Sequence, residues 1–302
     1  MSEIRNLSML SDFYEFTMAA GYFENGMKDR VAVFDAFYRK NPDGGGYAIF
    51  AGLNDVIDFI KNLHFTEDDI EYFRETENFS EDFLEYLSNF EFTGDVWAFP
   101  EGSVMFPGEP IITVKAPIIE CSIIETYLLL SMNFNSLIAT KTNRIVSSAR
   151  GRLVMEFGAR RAQGADASIT GARAAFISGA PLTSNTYSSQ KYGFKAAGTM
   201  AHSWIQAFDS EYEAFKTYAR MYPDNCILLI DTYDTLESGL VNAMKVFKEE
   251  LVPKGLRGGV RIDSGDLAYL SKEVRKRLDE NGLKDFTIVA SNSLDEFKIE
   301  SL

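Results

Sequence analysis

Short apolar segments recur along the second half of the chain, and each is followed by a polar motif and then by a stretch with helical periodicity. Segments of this length and separation predict the strands of repeated strand–helix units. The predicted strands cover residues 153–157, 174–177, 194–197, 227–230, 259–262 and 287–290. Two apolar stripes at helical spacing predict the helices between the later strands. They consist of Leu240, Met244, Phe247 and Leu251, and of Leu267, Leu270, Val274 and Leu278.

Polar motifs follow nearly every predicted strand. They cover residues 158–161, 183–185, 199–203, 231–234, 263–266 and 291–293. A doubly wound sheet concentrates such groups at one switch point, whereas a barrel brings the ends of many strands to one face, so the pattern favours a barrel. Because a complete barrel of this type has about eight strands, we expect either a smaller variant or a truncated, incomplete barrel.

The first half of the chain follows no single period. A helix is predicted from an N-cap at Ser11 or Asp12 to a stop near Gly21. Further predicted elements are a helix over 52–62, an acidic helical stretch over 67–85, a β-rich segment over 92–116 and a helix over 120–150. The chain is therefore predicted to be an α/β protein, with an N-terminal α+β domain over 1–140 and an irregular, incomplete α/β barrel over 141–302.

The chain has 302 residues, 46% of them hydrophobic, and a formal net charge of −14. Nucleic acids and anionic membranes are polyanions, so neither is an expected partner, although a small anionic substrate can bind to a local arginine cluster. No apolar run is long enough to span a bilayer and residues 1–6 lack the layout of a signal peptide, so we expect a cytoplasmic protein. Cys121 and Cys226 lack metal or redox spacing and are predicted to be buried thiols.

One of the two histidines, His202, lies where a short apolar segment ending at Met200 meets a stretch with helical periodicity. The residues of that stretch are Ile205, Phe208, Tyr212, Phe215 and Ala219. Reactive groups of α/β enzymes lie at the carboxyl ends of parallel strands, and imidazole titrates near neutrality. Position alone leaves two interpretations open, a reactive group or a helix-start histidine held by a backbone carbonyl. The other histidine, His64, is predicted to be a helix C-terminal cap or a surface residue.

Two further motifs carry charged groups at predicted strand ends. Residues 263–266 (Asp-Ser-Gly-Asp) offer carboxylates that suit sugar hydroxyls or a hydrated Mg²⁺, with Asp266 predicted to be an N-cap and Asp263 the functional group. Arg160 and Arg161 offer planar, bidentate anion binders, and one of them is expected to form a salt bridge instead. Walker and Rossmann glycine fingerprints are absent from the sequence, and no metal site formed by the protein alone is predicted.

Four longer motifs occur in order along the chain. They are Ser11-Asp12-Phe13-Tyr14-Glu15, Glu156-Phe157-Gly158-Ala159-Arg160-Arg161, Gly198-Thr199-Met200-Ala201-His202-Ser203 and Val260-Arg261-Ile262-Asp263-Ser264-Gly265-Asp266. Together they resemble the nicotinate phosphoribosyltransferase family, and their spread makes the match far more specific than any single motif. The resemblance implies a type II phosphoribosyltransferase fold, in which an N-terminal α/β domain packs on an irregular barrel, usually as a homodimer with shared sites.

The resemblance also implies a reaction. Nicotinate and 5-phosphoribosyl 1-pyrophosphate give nicotinate mononucleotide and pyrophosphate, the first step of NAD salvage from nicotinate. ATP hydrolysis is coupled to this reaction through a phosphohistidine, and Mg²⁺ binds with the pyrophosphate and with ATP. His202 matches the phosphorylated histidine, and Asp263 matches the carboxylate that holds the ribose hydroxyls near the oxocarbenium-like transition state.

The resemblance assigns substrate contacts to five further residues. Phe157 and Tyr14 are implied to sandwich the pyridine ring, with Tyr14 reaching in from the partner subunit. Arg160 and Arg261 are implied to face the nicotinate carboxylate or neighbouring phosphates. Thr199 is implied to line the substrate pocket.

Ser184 matches the position at which the related nicotinamide enzyme has an aspartate that accepts from the amide. Loss of that carboxylate removes like-charge repulsion toward an anionic substrate and favours nicotinate. Family members continue past residue 302 through a glycine-rich segment that cradles the ribosyl phosphate, so we expect this chain alone to bind 5-phosphoribosyl 1-pyrophosphate poorly and to expose edge strands. Two alternatives stay open: a related enzyme that acts on nicotinamide or quinolinate, and a catalytically silent fragment.

Overall fold

The computed structural model describes residues 5–77 and 79–302. They pack as two compact units, of which the first comprises the described residues up to 146 together with 153–196. The second comprises residues 147–152 and 197–302. This division reflects packing and does not test the predicted domain boundary at residues 140 and 141, which stays a prediction. Residues 1–4, which belong to the segment without a signal-peptide layout, lie outside the described residues.

The N-terminal part of the first unit combines helices with short antiparallel sheets. The helices are α1 (Phe13–Glu24), α2 (Leu53–Asn62), α3 (Glu67–Thr76), α4 (Glu81–Ser88) and α5 (Ile118–Ser148). The strands are β1 (Val31–Ala36), β2 (Ala48–Ile49), β3 (Asp95–Ala98), β4 (Val104–Met105) and β5 (Ile112–Pro117). β5 lies between β1 and β3 and is antiparallel to both, whereas β2 pairs with β4.

These bounds confirm the predicted helix over 52–62, the β-rich segment and the long helix after residue 120. The acidic stretch is helical as predicted but consists of two helices, α3 and α4. α1 begins after Asp12 as predicted, but it continues three residues past Gly21. Gly21 is not among the glycines with positive φ, so it does not form the left-handed cap that ends many helices.

An aromatic core anchors the N-terminal helices. Phe16 of α1, Phe73 of α3 and Phe83 of α4 are almost fully buried. The ring centroids of Phe16 and Phe73 are 4.7 Å apart. Burying each ring contributes about 2–3 kcal/mol relative to leaving it exposed. Phe16 thus fixes one side of α1 while Tyr14, on another side of the same helix, stays 49% exposed.

The first unit ends in a small parallel sheet of β6 (Met155–Glu156), β7 (Leu182–Thr183) and β8 (Lys195–Ala196), in that order. The connecting helices are α6 (Ala165–Ile177) and α7 (Thr186–Tyr192). The predicted strands at 153–157 and 194–197 are confirmed as shorter elements. The predicted strand at 174–177 is wrong, because these residues form the last turn of α6. Alanine is the strongest helix former, and Ala172 and Ala175 are buried one helical turn apart, so helix formation outweighs the strand-like apolar run.

The second unit contains the later strand–helix repeats. Its strands are β9 (Ile227–Leu229), β10 (Gly259–Ile262) and β11 (Thr287–Ala290), and its helices are α8 (His202–Gln206), α9 (Glu211–Met221), α10 (Leu240–Val246), α11 (Leu267–Glu280) and α12 (Glu296–Ser301). β10 lies between β9 and β11 and is parallel to both, which confirms the three predicted strands. Both predicted apolar stripes lie in helical segments and pack on the core of this unit.

The helix predicted from Ile205 onward is interrupted. α8 ends at Gln206, and α9 begins after Ser210, whose hydroxyl accepts from the backbone N–H of Glu213 at 3.2 Å. Ile205 before the break and Phe215 after it are both fully buried. The helical spacing of apolar residues therefore continues from α8 into α9 and does not indicate the break between the two helices.

The six parallel strands form two three-stranded sheets, and the described chain contains no closed barrel. Cys121 and Cys226 are free and buried as predicted. Burial raises the pKa of the Cys226 thiol to about 12. Among the helices of the described chain, none combines the length and the apolar character that a membrane span requires.

Candidate active site

The carboxyl ends of β9, β10 and β11 carry a cluster of polar side chains in the second unit. Asp231 and Thr232 follow β9, Asp263 follows β10, and Ser291 follows β11. Since the three strands are parallel, these residues lie at one edge of the sheet. Polar motifs had been predicted at all three ends, and the strand register now shows which side chains meet.

His202 is the first residue of α8, as the strand-to-helix pattern predicts. Its Nδ1 lies 3.1 Å from the hydroxyl oxygen of Thr232. Its Nε2 lies 3.8 Å from Oδ2 of Asp263, and the side chain is 40% exposed. The described hydrogen bond of the ring is thus with a side-chain hydroxyl and not with a backbone carbonyl.

Arg261 ties this cluster together from within β10. Its guanidinium donates to the Thr199 hydroxyl at 2.8 Å and to the Met200 carbonyl at 3.3 Å. The same group donates to the Ser291 hydroxyl at 3.0 Å and lies 3.3 Å from Oδ1 of Asp263. Only 12% of the Arg261 side chain is exposed. Arg261 therefore holds together the loop before α8 and the ends of two strands.

Asp263 is held in its ionised form. Partial burial favours the neutral acid, but the hydrogen bond that Ser291 donates and the positive charge of Arg261 outweigh it and lower the pKa of Asp263 below its ordinary value. His202 contributes in the same direction. A carboxylate with about a quarter of its side chain exposed is thereby available to a ligand.

Asp231 is a residue of this cluster that sequence reasoning did not select. It is 9% exposed, and its Oδ2 accepts from the backbone N–H of Asp263 at 3.1 Å and from the Ser264 hydroxyl at 2.5 Å. Its Oδ1 is buried and has no hydrogen-bond partner in the described chain. The available signal was its place in the polar motif directly after a strand, which also contains Thr232.

Three predicted substrate-binding residues lie in the first unit, at the ends of β6 and β7. Glu156 and Thr183 are register partners, so Phe157 and Ser184 occupy the next positions of neighbouring strands. The backbone N–H of Ser184 donates to the Glu156 carbonyl at 2.9 Å. Arg160 follows in a single 3₁₀ turn.

The Arg160 side chain is exposed and, like that of Arg161, forms no ion pair within the described residues. The salt bridge expected for one of these two arginines is therefore not formed in the described chain. The guanidinium of Arg160 is left to solvent, where a planar anion can approach it.

The structure thus groups the eight predicted site residues in three places. His202, Asp263, Thr199 and Arg261 lie together in the second unit, and Phe157, Arg160 and Ser184 lie at one sheet edge of the first. Tyr14 lies on α1 of the first unit. His64, predicted to be a cap or surface residue, is exposed after α2, with Nδ1 2.7 Å from the Asn62 carbonyl.

Two family models match the chain. Residues 9–133 match the nicotinate phosphoribosyltransferase N-terminal domain, and residues 153–302 match the nicotinate phosphoribosyltransferase family. A nicotinate phosphoribosyltransferase of Mycobacterium tuberculosis is 46% identical over 295 residues, which cover 98% of this chain and 63% of that protein. The Bacillus subtilis nicotinate phosphoribosyltransferase is 44% identical over 297 residues, which cover 98% of this chain and 60% of the relative. The chain thus spans about three fifths of the length of these curated relatives.

Solved structures agree. Human nicotinic acid phosphoribosyltransferase matches with a TM-score of 0.85 and 29% identity, over 96% of this chain and 69% of that one. A nicotinate-nucleotide pyrophosphorylase from Pyrococcus furiosus matches with a TM-score of 0.79 and 25% identity, over 100% of this chain and 71% of that one. These similarities confirm the predicted fold class. The two family models, the sequence relatives and the fold together place this chain in the nicotinate phosphoribosyltransferase family.

Proposed function

We propose that this protein is an enzyme that transfers a phosphoribosyl group from 5-phosphoribosyl 1-pyrophosphate to nicotinate, forming nicotinate mononucleotide and pyrophosphate in NAD salvage. ATP hydrolysis drives the reaction through phosphorylation of His202. The observation that carries the proposal is that His202, Asp263 and Arg261 lie close together at the carboxyl ends of the parallel strands, in a chain of this family.

His202 is the proposed acceptor of the γ-phosphoryl group. A neutral imidazole is a competent nucleophile toward phosphorus, and the ring is exposed enough for ATP to reach it. Phosphorylation adds negative charge beside Asp263 and Arg261. Such a charge change rearranges the electrostatics of the site, which is how phosphorylation couples to substrate binding and product release.

Asp263 is the proposed partner of the ribose. Its lowered pKa keeps it ionised at neutral pH, so it accepts hydrogen bonds from vicinal hydroxyls. A fixed negative charge near the sugar also stabilises the positive charge that develops in an oxocarbenium-like transition state. Arg261 and Thr199 hold the surrounding loops and present the remaining polar atoms of the pocket.

Nicotinate itself is proposed to bind through the first-unit residues. Phe157 and Tyr14 stack on the pyridine ring, with Tyr14 supplied by the partner subunit. Arg160, which has no ion pair within the described residues, pairs with the nicotinate carboxylate. Ser184 itself adds no negative charge to that strand end, where the Glu156 carboxylate already accepts from the Thr183 hydroxyl and the Gly158 N–H.

Mg²⁺ is proposed to arrive with ATP and pyrophosphate. Within residues 5–77 and 79–302, no three acidic, cysteine or histidine side chains are placed to hold a metal ion together. Mg²⁺ commonly binds through substrate phosphates and only one or two carboxylates, and Asp231, with its unpartnered Oδ1, and Asp263 fit that smaller role. When bound, the ion neutralises phosphate charge.

We further propose a homodimer with shared sites and a cytoplasmic location. No nucleic acid or membrane partner is proposed, because the net charge of −14 opposes binding to either polyanion.

Labelling with γ-³²P-ATP tests the proposal. The wild type is expected to acquire acid-labile label, and ATP is expected to increase its rate of nicotinate mononucleotide formation. His202→Ala is expected to acquire no label. His64→Ala is the matched control and keeps the label. Equal labelling of wild type and His202→Ala would refute the role of His202, and absence of label and product in all three would favour the catalytically silent fragment.

Turnover of three pyridines separates the alternatives within the fold. Nicotinate is expected to be preferred over nicotinamide and quinolinate. Preference for nicotinamide would refute the proposed role of Ser184 in substrate choice. Preference for quinolinate would show that the protein is a phosphoribosyltransferase with a different substrate.

A further inference from the structure

The His202 ring lies between two different polar groups. The Thr232 hydroxyl oxygen is 3.1 Å from Nδ1, and Oδ2 of Asp263 is 3.8 Å from Nε2. Thr232 comes from the end of β9 and Asp263 from the end of β10. The two groups therefore fix the ring from neighbouring strands.

The two ring nitrogens are not equivalent in this setting. A hydroxyl both donates and accepts, so Thr232 alone leaves the position of the imidazole proton open. The Asp263 carboxylate determines the position of the proton, because its negative charge attracts a proton on Nε2 and repels a lone pair there. Asp263 stays ionised because Ser291 and Arg261 stabilise its charge.

We propose that Thr232 is a positioning residue for His202: its hydroxyl donates to Nδ1 and, with Asp263 on the opposite side, holds the neutral ring as the Nε2–H tautomer. The importance of this arrangement for turnover rests on the proposed function of His202. The assignment of the proton does not, because it follows from the contacts alone.

The neighbouring residue supports the same arrangement. Asp231 accepts from the backbone N–H of Asp263 and from the Ser264 hydroxyl, which fixes the loop that carries the Asp263 carboxylate. Two consecutive residues after β9 thus position the two side chains proposed to act in catalysis. A rotation of either would separate the imidazole from the carboxylate.

The chain supplies an internal reference for a test. Nδ1 of His64 is 2.7 Å from the carbonyl oxygen of Asn62. A carbonyl only accepts, so this contact requires a proton on Nδ1 of His64. The two histidines are therefore expected to be opposite tautomers in one sample.

Two-bond ¹H–¹⁵N NMR of the full chain labelled with ¹⁵N-histidine reads both tautomers directly, at a pH where both rings are neutral. His64→Gln assigns the signals. Wild type and Thr232→Ser are expected to show His202 as Nε2–H, with Nδ1 shifted as for an acceptor nitrogen in a hydrogen bond. Thr232→Val, which keeps the shape and removes the hydroxyl, is expected to lose that shift while the His64 signals stay unchanged. A protonated Nδ1 in wild-type His202, or a Thr232→Val spectrum identical to wild type, would overturn the proposal.

The rate of labelling by γ-³²P-ATP adds a second readout. In the Nε2–H tautomer the lone pair that attacks the γ-phosphorus is on Nδ1, so the Thr232 hydroxyl turns away as the Nδ1–P bond forms and ADP leaves, while the Nε2 proton keeps facing Asp263. Because Thr232→Val lacks the contact that orients the ring before attack, it is expected to slow phosphorylation by roughly ten- to a hundredfold, and Thr232→Ser is expected to stay close to wild type. If the expected tautomer is found but wild type takes up no label, the proposed function fails and the tautomer assignment stands. If all variants are labelled equally, Thr232 has no positioning role.

Discussion

At the scale of single residues, the charge of Asp263 depends on partners from other strands. Ser291→Ala removes the hydroxyl that donates to its Oδ1, so we expect the pKa of Asp263 to rise toward its ordinary value. A ¹³C NMR titration of the carboxyl group measures it. Ser293→Ala is the control, because that hydroxyl donates to Asn292 and not to Asp263. In wild type the ionised Asp263 carboxylate stabilises the folded state at neutral pH, and this contribution is lost as the pH falls through the lowered pKa.

Glu15 shows the opposite behaviour. It is fully buried on α1. Burial, together with the negative charges of Glu125 and Asp12, outweighs the opposing effect of the neighbouring Tyr14 hydroxyl and raises the pKa of Glu15 to about 7. Because the folded state then holds the proton more tightly than the unfolded chain, the stabilisation is full below the ordinary pKa of 4.5 and is lost as the pH rises through about 7.

Glu15→Gln, which does not titrate, is expected to remove this pH dependence. Between about pH 5 and about pH 8, the free energy of unfolding of wild type should fall by roughly 2–3 kcal/mol relative to Glu15→Gln, as measured by urea denaturation. Glu75→Gln, at an exposed position of α3, is the matched control and should follow wild type. Parallel pH profiles for wild type and Glu15→Gln would show that Glu15 carries no such shift.

Single residues differ in how far sequence reveals them. Asp266 is confirmed as an N-cap, since its carboxylate accepts from the backbone N–H of Tyr269 at 3.0 Å, and capping depends only on local spacing. The contacts of Asp231 and Thr232 depend on residues about thirty positions away in the chain. They require the register of parallel strands, and local periodicity does not contain that register.

At the scale of elements, prediction succeeded where apolar runs were bounded by polar motifs and failed where alanine dominated. The strands after residue 226 lie close to their predicted positions. Residues 174–177 have a strand-like apolar run, but the alanines before and within it continue a helix. The true strand, Leu182–Thr183, is two residues long and carries almost no periodic signal.

Asn185 follows the two-residue strand β7 and connects it to two helices. Its Oδ1 accepts from the backbone N–H of Ser188 and caps α7, while its amide nitrogen donates to Ser168 of α6 at 2.8 Å. Asn185→Asp keeps the cap and loses the donor, so we expect a loss of about 1 kcal/mol in the free energy of unfolding. Asn185→Ala loses both, with an expected loss of about 2 kcal/mol.

Urea denaturation of the three chains measures these differences. Asp266→Ala removes a cap with no second contact of this kind and should cost about 1 kcal/mol, which makes it the matched control. Equal losses for Asn185→Asp and Asn185→Ala would show that the link to α6 contributes everything and the cap nothing.

At the scale of the whole molecule, the strand–helix rhythm predicted the fold class but not how the repeats are grouped. β6 to β8 and β9 to β11 look alike in sequence, yet residues 153–196 pack with the N-terminal part of the chain. A small core links them, in which Ala174 of α6 packs with Ile49 and Ala139. Alanine and isoleucine are compatible with many partners, so composition does not specify which surfaces meet.

The proposed homodimer makes a prediction that only the assembled molecule can fulfil. If Tyr14 acts on the partner's pyridine site, a dimer of Tyr14→Ala and His202→Ala chains contains one complete site, because His202 comes from one chain and Tyr14 from the other. Each variant alone is expected to be inactive. Co-expressed chains that pair at random should then recover about a quarter of the wild-type rate of nicotinate mononucleotide formation, since half of the dimers are mixed and each has one working site of two. A mixture as inactive as its components would place Tyr14 in the site of its own chain.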